Sequence, residues 1–339
     1  MSPIICTISS PQPRTSSPRG HGTREINMAS SISTTSHVPE GLIALLESYL
    51  PNSLPLLRRL QFAQHEGRIT PTARIIFIHN GPPKQPQYLA AAYVDLAGGP
   101  ETQMWLFSTL EVQPAAVDVH AAQLQALVGE MIEMKRSYGK KLWHEEGVLL
   151  GTCETGVRRV LTGMKRLRTR ETGFYDKWLF QQQNLPTQRD ILGAKGAERR
   201  EDGLEEGMRW DVASLEDCEI VVTRTDIPRT APMLATLPSL VIRLDDGRPI
   251  AWAFLGHDGS LISLHCEDFR RRGLAKLLAA RLMRQGPGDF VRDGWCSADV
   301  SASNEGSRAM CRSLGGRPDW EVSWVYIDVT EDGVTENGY

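Results

Sequence analysis

Between residues 240 and 282 the chain sets three short strands, two tight turns and an amphipathic helix in a fixed order. Residues 240–244 read as a strand, Asp245-Asp246-Gly247 as a turn, 249–255 as a second strand, Gly256-His257-Asp258-Gly259 as another turn and 260–266 as a third strand. Asp-Gly turns between apolar runs predict an antiparallel meander. Leu274, Leu277, Leu278 and Leu282 then make one apolar stripe, the mark of a helix packed on one side. A strand at 295–300, a helix at 305–314 and a last strand at 322–329 complete the region.

The junction of third strand and helix carries the chemistry. It reads Leu264-His265-Cys266-Glu267-Asp268-Phe269-Arg270-Arg271-Arg272-Gly273-Leu274-Ala275. A helix start offers free backbone N–H groups and the positive end of the helix dipole, which together hold phosphate. Gly273 lets the backbone come close to a bulky anion, Ala275 keeps the next turn uncrowded, and Arg270, Arg271 and Arg272 add charged donors.

These residues resemble the coenzyme A loop of the GNAT superfamily of acyltransferases, Arg/Gln-x-x-Gly-x-Gly/Ala, matched by Arg270, Gly273 and Ala275. Asn304, Glu305 and Ser307, followed by Leu314-Gly315, resemble the second helix of that fold. Gly247, Pro249 and Trp252, with Leu50-Pro51-Asn52-Ser53-Leu54 far upstream, are similar to the glycine N-acyltransferase-like branch. The resemblance implies an α/β (α+β) chain. Its C-terminal GNAT fold would have a mixed, mainly antiparallel sheet flanked by helices, preceded by a degenerate GNAT-like N-terminal domain.

It also implies direct attack of an amine on the thioester of acyl-CoA or acetyl-CoA, bound as co-substrate against a splayed strand pair, with no metal. Leu264, His265 and Cys266 would hydrogen-bond the pantetheine through their backbone. Arg270, Arg271, Arg272, Gly273, Leu274 and Ala275 would hold the pyrophosphate, with Asn304 and Ser307 as further contacts. The base that takes the ammonium proton is expected to be His265. Alternation puts it with Ser263 on one face, and Ile262, Leu264 and Cys266 on the other. Glu267 and Asp268 compete for that role. Where glycine N-acyltransferases have a glutamate base this chain has Gly259 or Ser260, and where many GNAT enzymes have a tyrosine acid it has Cys311. Trp252, Trp320 and Trp324 are candidates to wall the acceptor site, with core or domain-interface packing the commoner fate of such side chains.

Upstream, Leu42, Leu45, Leu46, Tyr49 and Leu50 form a helical face ended by Pro51, and a second helix follows at 54–60. Strand-like runs at 73–79, 88–95 and 103–108 precede a long helical stripe through Val117, Ala121, Leu124, Val128 and Met131. Residues 158–170 carry six positive charges and no acid, which reads as a solvated helix face or a contact for a polyanion. The expected organisation is a disordered tail at 1–37, the N-terminal domain at 38–150, a helical and basic connector at 151–213, the catalytic domain at 214–330 and a tail at 331–339.

A net charge of -3 provides no global field for nucleic acid, and no apolar run approaches the roughly 20 residues of a membrane span. Six cysteines without a CxxC pair fit a reducing compartment. The location expected is cytoplasmic, with a mitochondrial one as the alternative that the Arg- and Ser-containing tail suggests. The leading function is an acyl-CoA-dependent N-acyltransferase acting on a small amine or amino acid. A peptide N-acetyltransferase and a non-catalytic coenzyme A-binding or interaction module are the alternatives. Acyl chain, acceptor and oligomeric state have no signature in the sequence.

Overall fold

The computed structural model describes residues 30–65, 68–168, 173–193, 196, 199–225, 227–267, 272–286, 288 and 293–333. The first half holds β1 (Ser31–Thr35), α1 (Leu42–Glu47), α2 (Leu54–Gln64), β2 (Ala73–His79), β3 (Leu89–Asp95), β4 (Met104–Ser108), α3 (Val117–Tyr138), β5 (Gly147–Glu154), α4 (Thr155–Gly163), β6 (Leu167–Arg168), β7 (Phe174–Gln181) and α5 (Gln188–Leu192). The second holds β8 (Met208–Asp211), α6 (Leu215–Val222), α7 (Ala231–Leu234), β9 (Ser239–Leu244), β10 (Pro249–Leu255), β11 (Leu261–Cys266), α8 (Leu274–Gln285), β12 (Trp295–Ser301), α9 (Glu305–Ser313) and β13 (Arg317–Asp328). Apart from the two-residue β6 and the short α5, the halves repeat one order of elements.

Alternation decides the layers. In β2, Ile76 and Ile78 enter a core under α3, while Ala73, Ile75 and Phe77 enter a second core under α1 and α2. Both faces of this sheet are therefore covered, and its strands read as nearly continuous apolar runs. In β10, Ala251, Ala253 and Leu255 face α8, while Trp252 and Phe254 pack with Cys218, Val221 and Leu234 of α6 and α7.

The two halves exchange their last strands. One sheet runs β1-β2-β3-β4-β5-β13-β7-β12, and the other β11-β10-β9-β8. The place beside β5 is filled by β13 of the second half, and the place beside β12 by β7 of the first. β7 and β13 pair with each other, antiparallel. The last strand begins at Arg317, five residues before the position expected from its apolar pattern, because its polar start pairs with β7.

This exchange changes the expected boundaries. Residues 151–213, expected as a helical connector, contain the end of β5, α4, β6, β7, α5 and β8. The expected tail contains β1, which pairs antiparallel with β2; residues 1–29 and 334–339 lie outside the described residues. Three cations of the basic run are engaged within the protein, while Arg159 and Lys165 are exposed. Arg158 lies over the Phe174 ring at 4.4 Å, Arg166 donates to the carbonyls of Thr330 and Glu331, and Arg168 pairs with Asp328 at 2.6 Å. Arg170 lies outside the described residues.

Candidate active site at the splayed strands

β11 and β12 run parallel and touch at a single bridge, Ser260 to Ser297. Beyond it they diverge, and a cleft of about 980 Å³ opens between them. Along β11 it is lined by Leu261 to Cys266, and along β12 by Ala298, Asp299 and Val300; Asn304, Ser307 and Cys311 line it at α9. A strand edge facing such a gap has unpaired N–H and C=O groups available to an extended ligand.

The ladder between β10 and β11 shifts register between Trp252 and Phe254, and Ser263 takes a left-handed backbone with φ 51°. This is a bulge, and it breaks the simple alternation. Ile262 packs with Trp252 and Phe254, on the side His265 also takes, whereas Leu261, Leu264 and Cys266 pack toward α8. The expected grouping of Ile262 with Leu264 and Cys266 is thus replaced by Ile262 with His265.

His265 stacks on Trp252, ring centroids 4.8 Å apart and planes 20° apart. Its Nε2 lies 3.6 Å from Glu267 Oε2, and the other Glu267 oxygen accepts from Arg224 Nε at 3.0 Å. Arg224 holds the Glu267 carboxyl below the usual carboxylate range. Glu267 is therefore an ionised, half-buried partner of Arg224 and His265, with little proton affinity of its own. Asp268 lies outside the described residues.

Gly273 sits at the N-cap of α8 with φ 83°, a left-handed conformation that glycine adopts without strain. Among the described residues no side chain caps this helix and its first turn holds no acid, which leaves its leading N–H groups available beside the cleft, where Ala275 lines the wall. The other loop residues divide. The Leu274 side chain is buried in the core with Leu277 and Leu278. Arg272 turns away to Glu205, 2.8 Å distant, and its carbonyl accepts from Arg199. Arg270 and Arg271 lie outside the described residues.

Asn304 caps α9, its Oδ1 accepting from the Ser307 N–H at 3.0 Å. Cys311 reaches the cleft from a buried position, and burial pushes its thiol up to about 12. Such a thiol keeps its proton. At the position where the family resemblance expects glutamate, Gly259 has φ 70° and a Cβ there would lie 2.9 Å from Arg58. The neighbouring Ser260 hydroxyl donates to Asp258 at 2.6 Å.

The far end of the cleft is built by both halves, and pattern reading along one strand does not find it. The first half contributes Glu101, Thr102, Trp105 and Tyr175, and the second Arg229, His257, Asp258 and Trp324. Trp324 Nε1 donates to Thr102 Oγ1 at 3.2 Å, and Tyr175 meets Trp324 edge-on at 5.1 Å. Trp252 and Trp324 line the cleft, Trp252 from a buried position in the core with Val221 and Phe254, and Trp320 is not among the lining residues. His257 lies edge-on to Phe62, and burial with the adjacent Arg59 lowers its pKa to about 3, so its imidazole is neutral.

The matching junction of the first half is closed. β4 and β5 also touch at one parallel bridge, Met104 to Leu150, but the space beside them is filled by Leu124, Leu127, Val128 and Met131 of α3. The turn after β4 carries Glu111, whose carboxylate accepts from the Ser108 N–H and whose pKa burial raises well above the usual range. Among the described residues no group of three or more His, Cys, Asp or Glu side chains is placed to hold a metal ion. The five described cysteines form no disulfide with one another. No described helix is long and apolar enough to cross a membrane.

Residues 29–178 match the family described as acyl-CoA N-acyltransferase verG N-terminal domain, and residues 240–325 match the FR47-like protein family. No curated protein matches the chain. Among solved structures, a Drosophila protein is similar at 19% identity and a TM-score of 0.56, over 84% of this chain and 94% of that one. A tandem GNAT protein from the clavulanic acid biosynthesis pathway is similar at 11% identity and a TM-score of 0.51, over 89% of this chain and 99% of that one. At these identities the likeness is one of fold, and the fold is two GNAT units in tandem. The two family matches and the shared fold together support a GNAT superfamily acyltransferase.

Proposed function

We propose that the protein is an acyl-CoA-dependent N-acyltransferase whose second half binds the thioester and whose acceptor is a small amine or amino acid. The observation that carries this reading is the continuous path from the uncapped N-terminus of α8, along the open edge of β11, to the chamber between the halves. The pyrophosphate of the acyl-CoA meets the helix N–H groups at Gly273 to Ala275, and its pantetheine runs beside Leu264, His265 and Cys266.

The neutral amine attacks the thioester carbonyl; a C–N bond forms, the C–S bond breaks, the attacking nitrogen loses its second proton to solvent, and the thiolate takes a proton from solvent. His265 accepts the proton lost by the ammonium. It lines the cleft, is fixed by stacking on Trp252 and has its Nε2 3.6 Å from Glu267. Catalysis then rests on positioning and on backbone donors at the splayed strands. Cys311 packs the cleft floor and does not act as the acid.

Isothermal titration with acetyl-CoA, benzoyl-CoA and free CoA tests the reading. Micromolar binding is expected, with the preferred thioester naming the acyl group, and Arg270→Glu with Gly273→Glu should abolish it. Wild-type affinity in that double variant would sink the proposed loop. A folded protein that binds none of the three would leave a GNAT-fold interaction module instead.

A further inference from the structure

The cleft continues past the thioester path into a chamber walled by both halves, and its charged groups are unevenly satisfied. Glu101 accepts from the Thr230 N–H at 3.0 Å and from its hydroxyl at 3.2 Å. Asp258 accepts from the Ser260 N–H and hydroxyl at 3.2 and 2.6 Å. Asp299 pairs with Lys177, and Arg224 with Glu267. Arg229 differs. It lines the chamber, it forms no ion pair or hydrogen bond among the described residues, and its Nε is buried without a partner.

Its buried Nε lacks a partner while the side chain as a whole is half-buried, so a bound anion would offset the cost of that unmet donor. Its planar fork matches a carboxylate in two parallel hydrogen bonds. Glu101 and Asp258 lie near enough to act on it electrostatically, yet both are already engaged by neutral donors. These acidic side chains suit an ammonium group held a few ångströms from the carboxylate, although burial raises the Glu101 pKa. The indole of Trp324, fixed by Thr102, and the ring of Tyr175 offer apolar surface beside them.

We propose that this chamber is the acceptor subsite, that its ligand is an amino acid, and that Arg229 holds the acceptor's carboxylate. The inference rests on the N-acyltransferase reading for the identity of the reaction, but its recognition step can be tested without turnover. Acylation would neutralise the ammonium and leave the carboxylate, so an N-acyl amino acid product keeps the group that Arg229 recognises.

The experiment is a titration of the full chain with N-acetylglycine, N-acetylleucine and N-acetylphenylalanine, each as the free acid and as the primary amide. Acids should bind roughly tenfold or more tightly than their amides, the loss that follows from removing one charged hydrogen-bond pair. Arg229→Gln should erase the difference. Arg229→Lys, which keeps a charge without the fork, should keep a reduced preference, and it carries the test if the Gln variant melts early. Equal binding of acid and amide, failure of all six ligands to bind, or an undiminished preference in Arg229→Gln would overturn the proposal. Titration of the same wild-type sample with acetyl-CoA separates the two readings. Acid preference without coenzyme binding keeps the subsite and removes the acyl transfer, and coenzyme binding without acid preference does the reverse.

Discussion

Lys177 of β7 and Asp299 of β12 stand directly opposite one another in the exchanged strand pair, with Nζ 2.8 Å from one carboxylate oxygen and 2.9 Å from the other. Their side chains are 0% and 7% exposed, and Asp299 also lines the cleft. The ion pair thus joins a strand of the first half to a strand of the second within one sheet. Burial raises the Asp299 pKa while Lys177 opposes that shift. Removing one partner leaves a buried group uncompensated. Lys177→Met is expected to cost about 3–5 kcal/mol of unfolding free energy. Lys177→Met with Asp299→Leu should recover most of that loss, because an apolar pair of similar volume carries no desolvation cost. Urea denaturation measures both, and a single variant within about 1 kcal/mol of wild type would show that the pair is not buried as described.

His257 gives the chain a predictable loss of stability in acid. Its imidazole is enclosed by Phe62 and Trp105, faces the charges of Arg59, Arg68, Arg229 and Asp258, and has a pKa lowered to about 3. The folded state therefore refuses a proton that the unfolded chain accepts near pH 6.5. Its contribution is complete above that pH and is lost as pH falls from 6.5 toward 3. Between pH 7.5 and 4.5 the wild type should lose roughly 2–3 kcal/mol more than His257→Phe. Parallel stability curves for the two proteins would place the imidazole in solvent.

Cys311 tests the fate of the leaving thiolate. Its own thiol, pushed up to about 12 by burial, holds its proton more tightly than a thiol in water. Cys311→Ala should change kcat by less than about threefold while costing about 1 kcal/mol of stability for the lost packing. A hundredfold fall in kcat with an unchanged KM would make Cys311 the acid and refute the solvent-assisted departure proposed above.

The meander of β9, β10 and β11 and the stripe of α8 were legible because each rests on local pattern: Asp-Gly turns, period-two alternation and leucines at helical spacing. Even there the bulge at Ser263 escaped, since a left-handed serine between apolar residues has no signature in the sequence, and it moves Ile262 to the other face. β7 was missed for a different reason. Its run Phe174-Tyr175-Asp176-Lys177-Trp178 carries charges, and they are satisfied only by Asp299 and Arg308 of the other half. Arg229, Glu101 and His257 likewise mean little as single letters. Their chemistry arises where two segments far apart in sequence share one chamber.

The exchange of β7 and β13 makes a prediction about the covalent link between the halves. Val325 and Ile327 of β13 lie in the core of the first half, and Trp178 and Phe180 of β7 lie in the core that contains Ala279, Met283 and Cys311. Each half therefore buries large side chains supplied by the other, at about 1.5–3 kcal/mol apiece, in addition to the ladder between the strands themselves. A protease site inserted after Glu201, in an exposed turn between α5 and β8, cuts the connection without touching either strand. After cleavage the two fragments should co-elute at the size of the intact chain and separate only in denaturant. The cut protein should also keep its acyl-CoA affinity, since the cleft's walls remain paired through β7, β12 and β13. Independent elution of two folded fragments would mean that each half completes its own sheet, and it would remove the shared acceptor chamber along with the exchange.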